Sequence, residues 1–213
     1  CYEHLAFMPK DERYLVSLTK EGPIKLVVWD WERSRVKEIT EITGLLKVKG
    51  LFFTPNDNNT LYVYGYQYSK NFPIRTFIIK PENEASTVTQ KFEMIKSFIK
   101  DFDKNLTCHL SVSDYYTIIG TKRGELLLLN KMNEIKLKIA DNDFEGRPVY
   151  NIAQYKEGFI VADSNFRLRV FDKSNKDIKV PFVPSSAEID TKGFGEDRIV
   201  TLATINDEQV LIG

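Results

Sequence analysis

Cysteine is scarce in this chain: two residues, Cys1 and Cys108, stand far apart with no Cys-x-x-Cys spacing among 213 residues. Neither a disulfide framework nor a zinc site follows from such a pair, and a reducing, intracellular compartment fits best. Net charge is absent as well, because thirty basic side chains balance thirty acidic ones. No electrostatic footprint for nucleic acid or for an anionic membrane surface is therefore visible, which leaves other proteins as the expected partners. Long apolar runs are missing too. The longest, such as Leu126 to Leu129, are a few residues against the ~20 that a membrane-crossing helix requires. An initiating Met and a cationic, apolar leader are lacking at the start, where CYEHLAF reads like the middle of a strand. The expectation is a piece of a longer chain.

Histidine is the next scarcity. A nucleophile needs a base within hydrogen-bond reach, and only His4 and His109 are present, with no Cys/His partner at ligand spacing. Each stands three residues before a matched strand position, Phe7 and Val112, so the pair reads as structurally equivalent places in a repeat. Other chemical signals fail on inspection. Asp141, Asp143, Glu145 and Gly146 occupy the first, third, fifth and sixth places of a calcium loop, but the twelfth is Ile152, not Glu. GFGEDR at Gly193 to Arg198 puts Arg where a phosphate-binding fingerprint needs its last Gly. A carboxylate pair for glycoside hydrolysis is left open by spacing alone. The expectation is no catalytic residue, no metal and no cofactor.

What is present is alternation. Apolar and polar residues alternate in short runs rich in Val, Ile, Leu, Phe and Tyr, broken by Gly, Asn, Asp and Pro, which is the signature of strands and turns. The runs repeat. A first unit carries LAFMPKDERYLVSL (Leu5 to Leu18), IKLVVWDWE and Arg35 to Ile39; a second GLFFTPNDNNTLYVYG and IRTFIIK; a third CHLSVSDYYTIIGTKRGELLLLN; a fourth YNIAQYKEGFIVADSNFRLRVFD; and a fifth begins near Ala187. With the end of the third strand as anchor, Trp29, Ile79, Leu129 and Phe171 are spaced 50, 50 and 42 apart, near the ~40–45 of a WD repeat. A lone twisted four-stranded sheet exposes two apolar faces, and radial stacking buries both. The expected fold is all-β, a propeller of degenerate WD-type four-stranded blades forming part of a ring. Approximate blades are 1–48, 49–107, 108–149, 150–186 and 187–213, the last incomplete. A Greek-key sandwich is the alternative. Residues 83–105 fit poorly, since Phe92, Ile95, Ile99 and Phe102 recur at helical spacing while Val88, Gln90, Phe92 and Met94 alternate as a strand. An outer strand and an elaborated connection are expected there.

Candidate binding residues are aromatic. Tyr62, Tyr64, Tyr66 and Tyr68 occur at every second position, so an extended strand places them on one face. The inner pair is expected to pack between blades, and Tyr66 and Tyr68 to anchor a partner. Trp29 and Trp31 share a face likewise, with Trp29 expected in packing and Trp31, near the turn, as a third candidate protein-binding residue. Lys122, Arg123, Gly124 and Glu125 read as a solvated hairpin turn.

Several of these segments in order resemble a known family. The W-x-W-E strand end at Trp29 to Glu32, the GT-x-x-G-x-L element at Gly120 to Leu126 and YKEG at Tyr155 to Gly158 look like the propeller region of cilia- and flagella-associated WD-repeat proteins. The Gly-His element of well-formed WD repeats is absent, and the likeness covers most of residues 5–172. The resemblance implies an axonemal adaptor or tether, part of a large complex, that docks inner-arm dynein or its regulatory complexes on doublet microtubules. It implies no catalytic residues and defines no interaction motif to transfer.

Overall fold

The computed structural model describes residues 2–20, 22–54, 57–67, 74–82, 87–91, 97, 99–113, 115–130, 134–140, 144, 146–163, 167–174, 181–189, 201–206 and 209–213. Every regular element among them is a strand. They fall into two compact units, Cys1–Ile95 and Lys96–Gly213.

The first unit holds two four-stranded antiparallel sheets. One is β1 (Tyr2–Met8), β2 (Asp11–Thr19), β3 (Lys25–Asp30) and β4 (Arg35–Glu41); the other is β5 (Leu45–Thr54), β6 (Asp57–Gln67), β7 (Ile74–Ile79) and β8 (Val88–Lys91). The second unit repeats the plan. It contains β9 (Leu106–Ser113), β10 (Tyr116–Thr121), β11 (Leu126–Asn130) and β12 (Ile135–Ala140), then β13 (Val149–Tyr155), β14 (Gly158–Asp163), β15 (Leu168–Lys173) and β16 (Phe182–Ile189). A two-stranded sheet, β17 (Leu202–Asn206) and β18 (Gln209–Ile212), follows. In all four large sheets the strands lie side by side in chain order, so each sheet is a meander closed by local turns. Within each unit, first strands approach first strands: β1 lies near β5, β9 near β13, and β13 near β17. Sheets that converge on their first strands are arranged as propeller blades.

Register makes the sheets comparable residue by residue. The pair just inside the one closing the first hairpin is Phe7–Leu15 in the first sheet, Phe53–Leu61 in the second, Ser111–Thr117 in the third and Gln154–Phe159 in the fourth. Across the third strand these pairs continue to Trp29, Phe77, Leu129 and Phe171. The sequence anchor thus recovers three of the four equivalent places. In the second sheet the structural equivalent is Phe77, two residues before Ile79 and on the same face. We call the face bearing this row the anchor face and the opposite one the reverse face.

Turn chemistry explains the polar residue after two of the anchors, Trp29 and Leu129. Asp30, buried at the end of β3, accepts a hydrogen bond from the Arg33 amide (3.2 Å), and Asn130 accepts one from the Glu134 amide (2.9 Å). Side-chain oxygens of this kind satisfy turn amides that the ladder leaves open. The second hairpins use the same device, with Thr121 Oγ1 accepting from the Glu125 amide and Asp163 Oδ1 from the Arg167 amide.

The core of each unit lies between its sheets. In the first, the reverse face of β1–β4, through Val16, Leu18, Leu26 and Val28, packs on the anchor face of β5–β8 through Leu51, Leu61, Val63 and Phe77. At the outer strands, Glu38 on β4 accepts hydrogen bonds from the amides of Thr87 (2.6 Å) and Val88 (3.1 Å), clasping one sheet to the next. In the second unit Ile118, Leu126 and Leu128 pack on Phe159, Val161 and Phe171, with Phe159 and Phe171 stacked at 4.9 Å. Val88–Lys91, within the stretch of mixed periodicity, is a strand paired with β7.

Candidate functional site

The exposed apolar surface of the first sheet lies on its anchor face. On β1, alternation sends Ala6 and Met8 into the core and leaves Leu5 and Phe7 on the other side, 63% and 51% exposed. The first residue after β3, Trp31, folds back over this face. Its ring meets Phe7 edge-on at 6.0 Å, its indole N–H donates to the Glu12 carbonyl (2.5 Å), and half of its surface stays open. Trp29 is half-buried beneath, donating to Ser17 Oγ at 2.8 Å. Val36 and Ile39 on β4 extend the exposed apolar row.

A charged group borders the same end of the sheet. Arg13 bonds Asp11 through Nε (2.7 Å) and Nη2 (2.5 Å) and reaches Glu82 at 3.7 Å. The bond from Arg13 holds the Asp11 carboxyl below its ordinary range. Both groups are solvent-facing, so the pair fixes geometry more than it adds stability. A shallow cavity of about 370 Å³, lined by Met8, Asp11, Asn59, Lys80, Pro81 and Glu82, lies at the same turn end.

The tyrosine row divides as follows. Tyr62 and Tyr64 are buried on one face of β6, and Phe52 contacts Tyr62 edge-on at 5.3 Å. Burial pushes the Tyr62 hydroxyl well above the usual tyrosine range. Tyr66 belongs to β6 by its backbone, but its side chain lies outside the described residues, as does Tyr68 entirely. Of the three candidate binding residues, only Trp31 has a described side chain, and it is exposed.

Other positions resolve into structure. Gly146 turns the chain with φ +74°, Ile152 is buried on β13, and Asp141, Asp143 and Glu145 lie outside the described residues, as do Gly193 to Arg198. Among the described residues no group of three or more His, Cys, Asp or Glu is placed to hold a metal ion. His4 and His109 occupy first strands, opposite Leu18 and Ile119. The Cys108 sulfur sits close to Gly120 and Val149, and burial pushes the thiol up to about 12, which leaves it protonated and unreactive at neutral pH.

Two features escaped the sequence. The exposure of Leu5, Phe7, Val36 and Ile39 is one; their alternation marked a face without marking it open. Glu125 is the other. Read as part of a solvated turn, it is buried, with Oε2 accepting from the Asp103 amide (2.6 Å) and Oε1 meeting Lys138 Nζ at 2.8 Å. Only Lys122 and Arg123 of that turn are exposed.

No protein-family model matches the chain. In sequence it is 21% identical over 217 residues to Cilia- and flagella-associated protein 57 A of Tetrahymena thermophila, a match spanning all of this chain and 16% of that protein. The chain thus spans about a sixth of the length of this relative. In structure it is similar to Raptor of Chaetomium thermophilum, with TM-score 0.66 and 13% identity over 94% of this chain and 17% of that one. U3-55K gives TM-score 0.60 and 12% identity over 95% and 57%. The Cps50 (Swd1) β-propeller domain from Myceliophteria thermophila gives 0.58 and 13% over 86% and 58%. At these identities the likeness shows the fold, a β-propeller of four-stranded blades.

Proposed function

We propose that the chain is a non-catalytic scaffold of the ciliary axoneme, docking inner-arm dynein or its regulatory complexes on doublet microtubules through surfaces of its propeller. The observation that carries this reading is the identity running along the whole chain to a cilia- and flagella-associated protein. The architecture supports it: meander sheets with buried cores form a scaffold whose exposed surface can bury partner surface through a few aromatic or Arg anchors. Tyr66 and Tyr68, together with the exposed Trp31 just after β3, are the proposed partner-facing anchors. No cofactor or catalytic group is invoked; the mechanism is the positioning of protein surfaces.

A general cytosolic WD-repeat scaffold is the second reading, favoured by the spread of structural neighbours at 12–13% identity over differently named proteins. Localisation separates the two. The tagged protein is expected in cilia or flagella, with inner-arm dynein reduced on axonemes after its deletion. A diffuse cytosolic signal with unchanged dynein content would leave the second reading standing and end the first.

A further inference from the structure

The shallow cavity of about 370 Å³ lies where the two sheets of the first unit meet. Met8 and Asp11, the pair that closes the first hairpin, come from the first sheet; Asn59 on β6 and Lys80, Pro81 and Glu82 just after β7 come from the second. Its volume is at the small end of the ~300–1,000 Å³ of ligand sites, which suits a side chain or two and not a broad surface. Met8 and Pro81 are buried and make up its apolar part. The backbone around it is already satisfied, since the Lys80 amide donates to the Thr87 carbonyl (2.7 Å) and the Asn59 amide to Asp57 Oδ1 (3.0 Å). What the cavity offers a ligand is therefore side chains. Its charges do not cancel locally. Asp11 and Glu82 share one guanidinium, with Arg13 bonded to Asp11 at 2.7 Å and 3.7 Å from Glu82, so two carboxylates face one cation. Lys80 is exposed and makes no ion pair among the described residues. One unspent charge of each sign borders the apolar part.

We propose that this cavity is a docking site for an extended segment of a partner protein in which one apolar side chain stands between an acidic and a basic one. The apolar side chain packs on Met8 and Pro81, the acid pairs with Lys80, and the base pairs with Glu82. Charge complementarity selects this occupant. A wholly apolar ligand leaves both unspent charges unanswered, and a ligand of a single sign meets one charge of its own kind. A polyanion such as nucleic acid or an anionic lipid surface meets two carboxylates at the rim of a chain whose net charge is zero. A dipolar segment answers both signs at once. Each rim pair is solvated and contributes little alone, so affinity depends on the apolar side chain and the charges set the preference among segments. Docking here ties the first hairpin of one sheet to the turn after β7 in the next. The inference is independent of the axonemal reading, which localisation tests, and either can fail without the other.

The chain has three methionines, Met8, Met94 and Met132, so NMR of methyl-labelled methionine reads the cavity through one signal, assigned with Met8→Leu. The probes are end-blocked tripeptides, Glu-Leu-Lys and Lys-Leu-Glu, with Glu-Leu-Glu, Lys-Leu-Lys and Glu-Gly-Lys as controls. The expected result is a saturable shift of the Met8 methyl with one of the two mixed peptides while Met94 and Met132 stay in place. The like-charged controls are expected to bind about two- to five-fold more weakly, and Glu-Gly-Lys not to saturate. Lys80→Glu and Glu82→Lys are each expected to weaken the preferred peptide by a similar factor. Both side chains are exposed, so these exchanges leave folding intact. The double exchange is expected to restore binding with the opposite peptide order preferred. The proposal is overturned if no peptide gives a saturable Met8 shift, if all five shift it alike, or if all three methionines move together. Binding of the mixed peptide that neither single exchange alters overturns it equally.

Discussion

The anchor faces of the first and fourth sheets differ in surroundings more than in design. Each carries large apolar side chains on its second and third strands, Leu15 with Trp29 in the first and Phe159 with Phe171 in the fourth, yet Phe159 and Phe171 are wholly buried where Phe7, at the first-strand place that Gln154 holds in the fourth sheet, is 51% exposed. The cross-strand pairing that aligns the second- and third-strand residues is the same in the two places. What differs is whether another sheet lies on it, and the energetic weight of each residue follows from that cover.

Substitution measures the difference directly. Phe171→Ala removes a ring stacked on Phe159 and tilted against Phe144, at 6.4 Å, and opens a cavity in the second unit's core. A loss of about 3–5 kcal/mol is expected in urea unfolding. Phe7→Ala, at the first-strand place of the open row, is expected to cost no more than about 1 kcal/mol. Comparable losses at the two sites would mean that the first sheet's face is covered in solution.

The second hairpins give a smaller contrast of the same kind. In the third sheet Glu125 is buried between the Asp103 amide and Lys138, whereas in the first sheet the matching turn is closed by Thr19 Oγ1 accepting from the exposed Lys25 amide at 2.9 Å. Glu125→Ala leaves the Lys138 ammonium, itself mostly buried, without its carboxylate, and a loss of roughly 3 kcal/mol is expected in the same assay. Lys25→Ala, on the solvated turn, is expected to stay within about 0.5 kcal/mol. An indifferent Glu125→Ala would show that the buried pair is offset by its own desolvation.

How far these differences were legible in the sequence depends on their range. The third strands could be found because a local event marks them: an apolar run closed by a residue such as Asp30 or Asn130 whose side chain caps the next turn. The offset from Ile79 to Phe77 could not, because register is set by cross-strand pairing with Leu61, sixteen positions away. Alternation placed Leu5 and Phe7 on one face and Ala6 and Met8 on the other. It carries no information on which face meets another sheet, since both are apolar. Glu125 was misread for a related reason. Its neighbours Lys122 and Arg123 are exposed, and the groups that bury it, Asp103 and Lys138, come from outside the turn. Tyr62 and Tyr64 were legible as packing residues because two aromatics at period 2 inside a strand need a covered face.

The smallest expected effect tests the reverse face of the first sheet. His4 lies on β1 between exposed Glu3 and Leu5, and burial, outweighing the nearby Glu3 charge and a hydrogen bond with the Val48 backbone, lowers its basicity from the ordinary value of 6.5. Its Nε2 is buried without a hydrogen-bond partner, while Lys49 adds a repulsive charge. Because the folded state binds the proton less well than the unfolded one, the neutral ring's contribution is fully present above pH 6.5 and is lost as the pH falls below it. The melting temperature is therefore expected to fall between about pH 7 and pH 5, and His4→Gln to remove part of that fall, by about 2 °C. An equal fall in both proteins would mean that His4 is solvated, and that β1 does not pack its inner side on β5 in solution. A smaller fall in the variant would mean that the first sheet is closed on the side of His4, where Ala6 and Met8 enter the core.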